Sequence, residues 1–321
     1  MQLSPKAVAR FLGTRLLHSA IVLLGVMIVV FALIQLVPGD PVRLALGTRY
    51  TQESYDALRA ASGLDRPLWE QFFTYIGSAV TGDLGVSFRS GQPVTALLLE
   101  RLPATLSLAG VGLLIGLLIA VPAGIWAALR EGRIADGIVR ITSQFGVSIP
   151  DFWMGMLLIL VFATGLGWLP SSGYIPFSES PGGWLRQVTL PAVTVGTVAG
   201  AILTRYVRAA TLDVANMGYV RTAKSKGLAP STVTIRHIMR NALVPVLTIA
   251  GIQLATILSG VIVVEVVFAW PGLGRLVFDS VASRDYPMIQ GAVLLIAVMF
   301  LLVNLIVDVL YALVDPRIRL A

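Results

Sequence analysis

Six stretches of this sequence, at about 15–37, 102–129, 138–166, 189–211, 244–268 and 288–314, are apolar over the ~20 residues that a helix needs to cross a bilayer core. In hydrocarbon each backbone N–H and C=O has to be satisfied within the chain, so each stretch is expected to be a helix. The fold class that follows is an all-α polytopic membrane protein with six transmembrane helices. Pro150 falls inside the third stretch, removes a backbone donor, and is expected to bend that span near mid-membrane. The first stretch follows Lys6, Arg10 and Arg15 and ends in Val37-Pro38-Gly39-Asp40-Pro41, with no small-residue cleavage site, so it reads as an uncleaved first helix.

Composition agrees: 56% of the residues are hydrophobic and 13% charged, against about 25% charged in ordinary soluble chains. The sequence has no cysteine, which excludes disulfides, thiolate metal sites and cysteine nucleophiles. Its net charge of +7 is explained by sidedness better than by nucleic-acid binding. Of 24 basic residues, 15 fall on the side of the N-terminus, against four acidic ones; the opposite side carries nine basic and ten acidic residues. The positive-inside rule then puts both termini in the cytoplasm.

The chain divides into a cytoplasmic N-terminus with the first span (1–37), an extracytoplasmic segment (38–101), a five-helix core (102–314) with a cytoplasmic loop at 212–243, and a cytoplasmic C-terminus (315–321). The outer segment mixes charges with Tyr50, Tyr55, Trp69, Phe72, Phe73, Tyr75 and Phe88, and is expected to fold as a small helical cap with helices near 54–62 and 68–80.

The cytoplasmic loop is the informative part. It runs through Leu212-Asp213-Val214, Tyr219-Val220-Arg221-Thr222-Ala223-Lys224-Ser225-Lys226-Gly227-Leu228 and Arg236-His237-Ile238-Met239-Arg240-Asn241-Ala242-Leu243-Val244-Pro245. Two short helices joined at Gly227 fit it: glycine suits the left-handed cap of the first, and Pro230 the opening turn of the second. Pro245 is expected to open the fifth span. Val233, Ile235, Ile238, Met239 and Leu243 supply the apolar positions of the second helix. One reading is a basic amphipathic loop lying on anionic lipid. The other is a docking element for a partner protein.

The loop resembles the signature cytoplasmic loop of ABC importer permeases, in which Glu-Ala-Ala is followed by three residues, a glycine, and an apolar–proline ending. Arg221-Thr222-Ala223 stands at the Glu-Ala-Ala position, Gly227 has the expected spacing, and Leu243-Val244-Pro245 closes the pattern. The missing glutamate and the run Tyr-Val-Arg-Thr-Ala-x-x-Lys-Gly-Leu are similar to the peptide and nickel branch. An ordered series of further motifs covers nearly the whole chain. It includes Gly82-Asp83-Leu84-Gly85, Arg101-Leu102-Pro103-Ala104-Thr105-Leu106, Pro150-Asp151-Phe152-Trp153, Trp270-Pro271-Gly272-Leu273-Gly274, Arg284-Asp285-Tyr286-Pro287 and Asp315-Pro316-Arg317. The series resembles the first of the two permease subunits of dipeptide, oligopeptide and nickel importers.

That resemblance implies the type I importer permease fold in a bacterial inner membrane, and a transport subunit that is not an enzyme. Its implied partners are a second, homologous permease, two cytoplasmic ATPase domains that bind ATP and Mg, an extracytoplasmic substrate-binding protein, and membrane lipid. This chain would itself hold no cofactor or metal. Tyr219, Arg221, Ala223, Lys226, Gly227, Leu228, Arg236 and Arg240 would couple it to the ATPases. Peptide is the first expectation for cargo, with nickel, haem or glutathione as alternatives.

Three carboxylates fall within the spans. Asp151 and Glu265 read either as path or gate residues or as structural hydrogen-bond partners, and Asp308 is better read as structural. Trp270, Pro271, Gly272 and Gly274 read either as a gate lip or as an ordinary turn with Trp270 in the interfacial aromatic belt. An intramembrane protease is disfavoured because neither Asp151 nor Asp308 sits in Gly-x-Gly-Asp. A secondary transporter is disfavoured by the lack of a visible internal repeat. The sequence has no Gly-x-x-x-x-Gly-Lys-Ser/Thr phosphate loop, so nucleotide chemistry belongs elsewhere.

Overall fold

The computed structural model describes residues 5–47 and 50–314. The expected C-terminal segment 315–321, with its basic residues, lies outside the described residues. Among the described residues five helices are long and apolar enough to cross a membrane, and counting one sharply bent pair as a single crossing makes six.

Helix α1 (Pro5–Leu36) is the first span. It is exposed along most of its length. Three short helices follow: α2 (Pro41–Leu46), α3 (Gln52–Ala61) and α4 (Leu68–Val80). The second and third of these match the expected cap helices. The first was not expected, yet its signal is in Asp40-Pro41. The Asp40 carboxylate accepts from the Val42 amide at 2.9 Å, as an N-cap does, and Pro41 occupies the first turn. The cap leans on α1 through Phe72 and Tyr75, whose rings lie 5.3 and 6.4 Å from that of Phe31.

Helix α5 (Val94–Leu129) is the second span and begins eight residues before the apolar run does, at Val94 against the expected 102. Its 36 residues make a rod of about 54 Å, well over the ~30 Å hydrocarbon core. α8 (Pro181–Ala215) is nearly as long. Both therefore project beyond the bilayer. They run side by side over a seam of small residues: a Cβ on Gly116 would lie 3.1 Å from the Gly200 backbone, and one on Gly124 would lie 2.7 Å from Val207. Without a hydrophobic drive in lipid, such close backbone approach supplies the packing.

The third span bends at Pro150 as expected, and the bend is sharp enough to break the helix. Helix α6 (Ile134–Ser148) and α7 (Asp151–Leu158), the latter continued by a π-helical turn (Ile159–Gly165), meet at 99°. Ile149 is extended, at φ −83° and ψ 124°, as the ring of a following proline demands.

The fifth span differs from expectation. α10 (Pro230–Thr232) passes through a π-helical turn (Val233–Met239) straight into α11 (Arg240–Gly260). Pro245 lies inside this helix and does not open it. The second loop helix and the membrane span are one rod, Pro230–Gly260. After it, the expected run to 268 is interrupted at Val261: α12 (Ile262–Val267) and α13 (Leu273–Ser283) fold back before α14 (Tyr286–Val314) makes the last crossing. The main core gathers Leu98, Leu108, Val188, Leu258, Phe268 and Met288 from α5, α8, α11, the α12–α13 turn and α14.

Candidate functional site

Two places on the chain carry the candidate residues, one at each end of the bundle. At the end expected to be cytoplasmic, α9 (Gly218–Ser225) follows α8 after a short turn. It ends where Gly227 takes φ +73°, and the Leu228 amide then donates back to the Ala223 carbonyl at 3.4 Å. No neighbour lies within 4 Å of where a Cβ on Gly227 would stand, so the left-handed backbone, not crowding, is what asks for glycine.

Val220 and Ala223 on one face of α9 pack with Val214, Val233, Ile238 and Ala242 in a small core of their own. Polar bonds add to it: Asn241 Nδ2 donates to the Tyr219 hydroxyl at 3.1 Å and to the His237 carbonyl at 2.8 Å. α9 is thereby fastened to the rod that forms the fifth span. Arg221, Lys226, Gly227, Leu228, Arg236 and Arg240 remain exposed on the surface. Ala223, expected among the contact residues, faces the small core instead. Ile235, expected to pack, is 65% exposed. The π-helical turn adds a residue per turn and rotates the face around it, which periodicity of 3.6 does not anticipate.

At the opposite end the turn 268–274 is built around Glu265, which is fully buried. The Thr105 hydroxyl of α5 donates to its Oε1 at 2.7 Å, and the Arg275 amide donates to its Oε2 at 3.0 Å. Thr105 Oγ1 in turn accepts from the Leu273 amide at 2.8 Å. The carboxylate thus caps the start of α13 and ties it to α5. A Cβ on Gly272 would fall 2.0 Å from Glu265 Oε1, and one on Gly274 would fall 2.6 Å from the Ile262 backbone, so both glycines are set by close approach. Trp270 is also fully buried. Its indole N–H donates to the Ala104 carbonyl at 2.9 Å, and its ring meets Tyr174 edge-on at 4.8 Å. The interfacial-belt reading of Trp270 is therefore corrected: this indole is in protein. Pro271 is only partly buried.

Asp151 opens α7 directly after the break and is half-buried. Its carboxylate has no hydrogen bond or ion pair among the described residues. α7 reaches the outer turn through Gly155, where a Cβ would lie 3.0 Å from the Phe268 ring. No bond joins Asp151 to Glu265 among the described residues. Asp308 pairs with Arg15 of α1 at 3.2 Å, a bridge between first and last spans.

Two buried carboxylate ties were not singled out from the sequence. Asp285 accepts from the Ser87 hydroxyl and from the Phe88 amide at 3.1 Å, which pins the loop 82–93 to the α13–α14 turn. Asp136 accepts from Arg208 Nε at 2.6 Å and Nη2 at 2.8 Å, which joins α6 to α8. Their signal was available in Arg284-Asp285-Tyr286-Pro287 and in an aspartate within a basic inner segment, but pairing across about 70 to 200 residues is not written in either.

A family profile described as "Binding-protein-dependent transport system inner membrane component" matches residues 120–320, and its N-terminal companion matches residues 8–109. The chain is 40% identical over 317 residues to the "Di/tripeptide transport system permease protein DppB" of Pseudomonas aeruginosa (strain UCBPP-PA14), covering 92% of this chain and 94% of the relative. It is 42% identical over 305 residues to the "Glutathione transport system permease protein GsiC" of Escherichia coli (strain K12), covering 95% and 97%. In fold it is similar to a chain of the MetNI methionine ABC transporter, with a TM-score of 0.54, 21% identity, and 68% of this chain and 96% of that one covered.

Proposed function

The chain belongs to the family of binding-protein-dependent transport system inner membrane components, and from that membership we propose what it carries and how it is driven. It is a multi-pass permease subunit of an ABC importer, a transport component whose ATPase is carried by separate subunits. Its cargo is a short peptide. The names of the two relatives support this, since one takes di- and tripeptides and glutathione is itself a tripeptide. Nickel or haem as cargo has no such support.

In the assembled importer this chain pairs with a second, homologous permease, two ATPase domains holding ATP and Mg, and an extracytoplasmic binding protein. Both termini are cytoplasmic, as the charge bias requires. The surface formed by Tyr219, Arg221, Lys226, Gly227, Leu228, Arg236 and Arg240 docks on an ATPase. One observation carries this reading: α9 is bolted through Val220, Ala223 and Ile238 to a rod that is itself the fifth span, so movement of the docked surface moves the membrane helix. At the outer end, Glu265, Trp270, Gly272 and Gly274 hold the turn that closes the path, with Pro271 on its surface, and Asp151 faces the path.

The test uses the complete importer in vesicles. Gly227→Leu, with a bulky side chain on a left-handed backbone, is expected to leave ATP hydrolysis running while peptide uptake falls at least about tenfold. Gly227→Asn, which tolerates that backbone, is expected to keep both. Undiminished uptake by Gly227→Leu would sink the docking role.

A further inference from the structure

At the inner end of the bundle, α6 and α8 enclose a cavity of about 610 Å³ lined by Gly137, Arg140, Ile141, Gln144, Arg205 and Arg208. Three guanidinium groups face it. One is already neutralised: Arg208 is gripped on two nitrogens by Asp136, and that carboxylate also accepts from the Gly132 amide at 3.1 Å. Arg140 and Arg205 have no hydrogen bond or ion pair among the described residues. Arg140 lies within the field of Asp136 without pairing to it, so the cavity sets three guanidinium groups against one carboxylate.

One wall of the cavity, α8, also packs along α5. The two helices run parallel, and the close approach of Gly124 to Val207 puts Trp126 level with the stretch that carries Arg205, Tyr206 and Arg208. Trp126 and Tyr206 are each nearly half exposed, and the Arg130 guanidinium stacks 4.9 Å above the Trp126 ring. Half-exposed aromatic rings beside arginines mark the headgroup level of a bilayer. From Ile141 in the cavity wall an exposed apolar face continues one turn further along α6, toward the bilayer centre, to Phe145.

We propose that this cavity holds the headgroup phosphate of an anionic phospholipid of the cytoplasmic leaflet, bound by Arg140 and Arg205, with an acyl chain along Ile141 and Phe145. A guanidinium matches phosphate with two parallel N–H donors, and basic pockets between helices on the inner side suit anionic headgroups. The assignment to the cytoplasmic leaflet rests on the orientation proposed above.

The assembled importer, purified from membranes and exchanged into mixed micelles of phosphatidylglycerol and phosphatidylethanolamine, tests this by mass spectrometry of the retained lipid. Phosphatidylglycerol is expected to be enriched on the native complex. Arg140→Gln with Arg205→Gln is expected to lower its retention at least about fivefold. Arg140→Lys with Arg205→Lys, which keeps the charge, is expected to retain an intermediate amount, and Arg59→Gln with Arg66→Gln in the outer cap the full amount. Equal retention by the double glutamine variant would overturn the proposal. So would release of the lipid by inorganic phosphate at millimolar concentration, which would assign the cavity to a soluble anion. Retention is read without reference to sidedness. A reversed orientation would move the site to the other leaflet and would be detected separately, by labelling at position 131.

Discussion

Glu265 is a carboxylate with no solvent contact, engaged on one oxygen by the Thr105 hydroxyl and on the other by the Arg275 amide. Removing it would orphan both donors inside protein, and each buried unsatisfied group costs about 1–3 kcal/mol. Glu265→Leu is therefore expected to lower the thermal unfolding midpoint of the purified importer by several degrees, followed by the fluorescence of the buried Trp270. Gly272→Ala is expected to do the same by another route, since its methyl group would land on Glu265 Oε1. Midpoints unchanged in both variants would refute the account of this turn. The sequence singles out Glu265, Trp270 and the glycines as a group because carboxylates and glycine pairs at membrane depth are conspicuous. Thr105 stayed hidden, because a threonine in an apolar helix ordinarily bonds its own backbone, as Thr194 and Thr204 do.

Among the elements, the loop 82–93 depends on a contact from the far end of the chain. Ser87 and Phe88 both bond to Asp285, while within the loop the bonds are short-range ones, such as Ser87 N–H to the Gln92 carbonyl, Gly91 N–H to the Ser87 carbonyl and Ser90 N–H to the Ser87 hydroxyl. Asp285→Ala is expected to raise amide hydrogen exchange of the Phe88 and Ser90 N–H groups at least about tenfold, with exchange in the α5–α8 seam unchanged. Equal protection in the variant would show that the loop is ordered without it. The inner loop teaches a related lesson. Gly227 and Pro230 mark its turn legibly, and α9 is where the sequence puts it. The continuity of its second half with α11 is not legible, because Pro245 looks like a helix start. Proline is tolerated within a membrane helix when neighbours satisfy the freed carbonyl.

For the whole molecule, the charge bias predicts a definite orientation, and a chain without cysteine lets single introduced thiols report it. Glu131→Cys is expected to react with a membrane-impermeant maleimide only in inside-out vesicles, and Arg89→Cys only in right-side-out ones. The reverse pattern would overturn the cytoplasmic placement of the termini.

The crossing helices, the cap helices α3 and α4 and the Gly227 turn follow from the sequence by itself. Each rests on local causes: the length of an apolar run, a capping residue, a glycine on a left-handed backbone. Tertiary structure alone decided the 99° size of the break that Pro150 announces, the fusion of the cytoplasmic loop's second half with the fifth span, and the burial of Trp270. It also decided which aspartates meet which partners. Those outcomes turn on helices far apart in sequence competing to satisfy the same backbone and side-chain polar groups where water is absent. No local pattern records that competition.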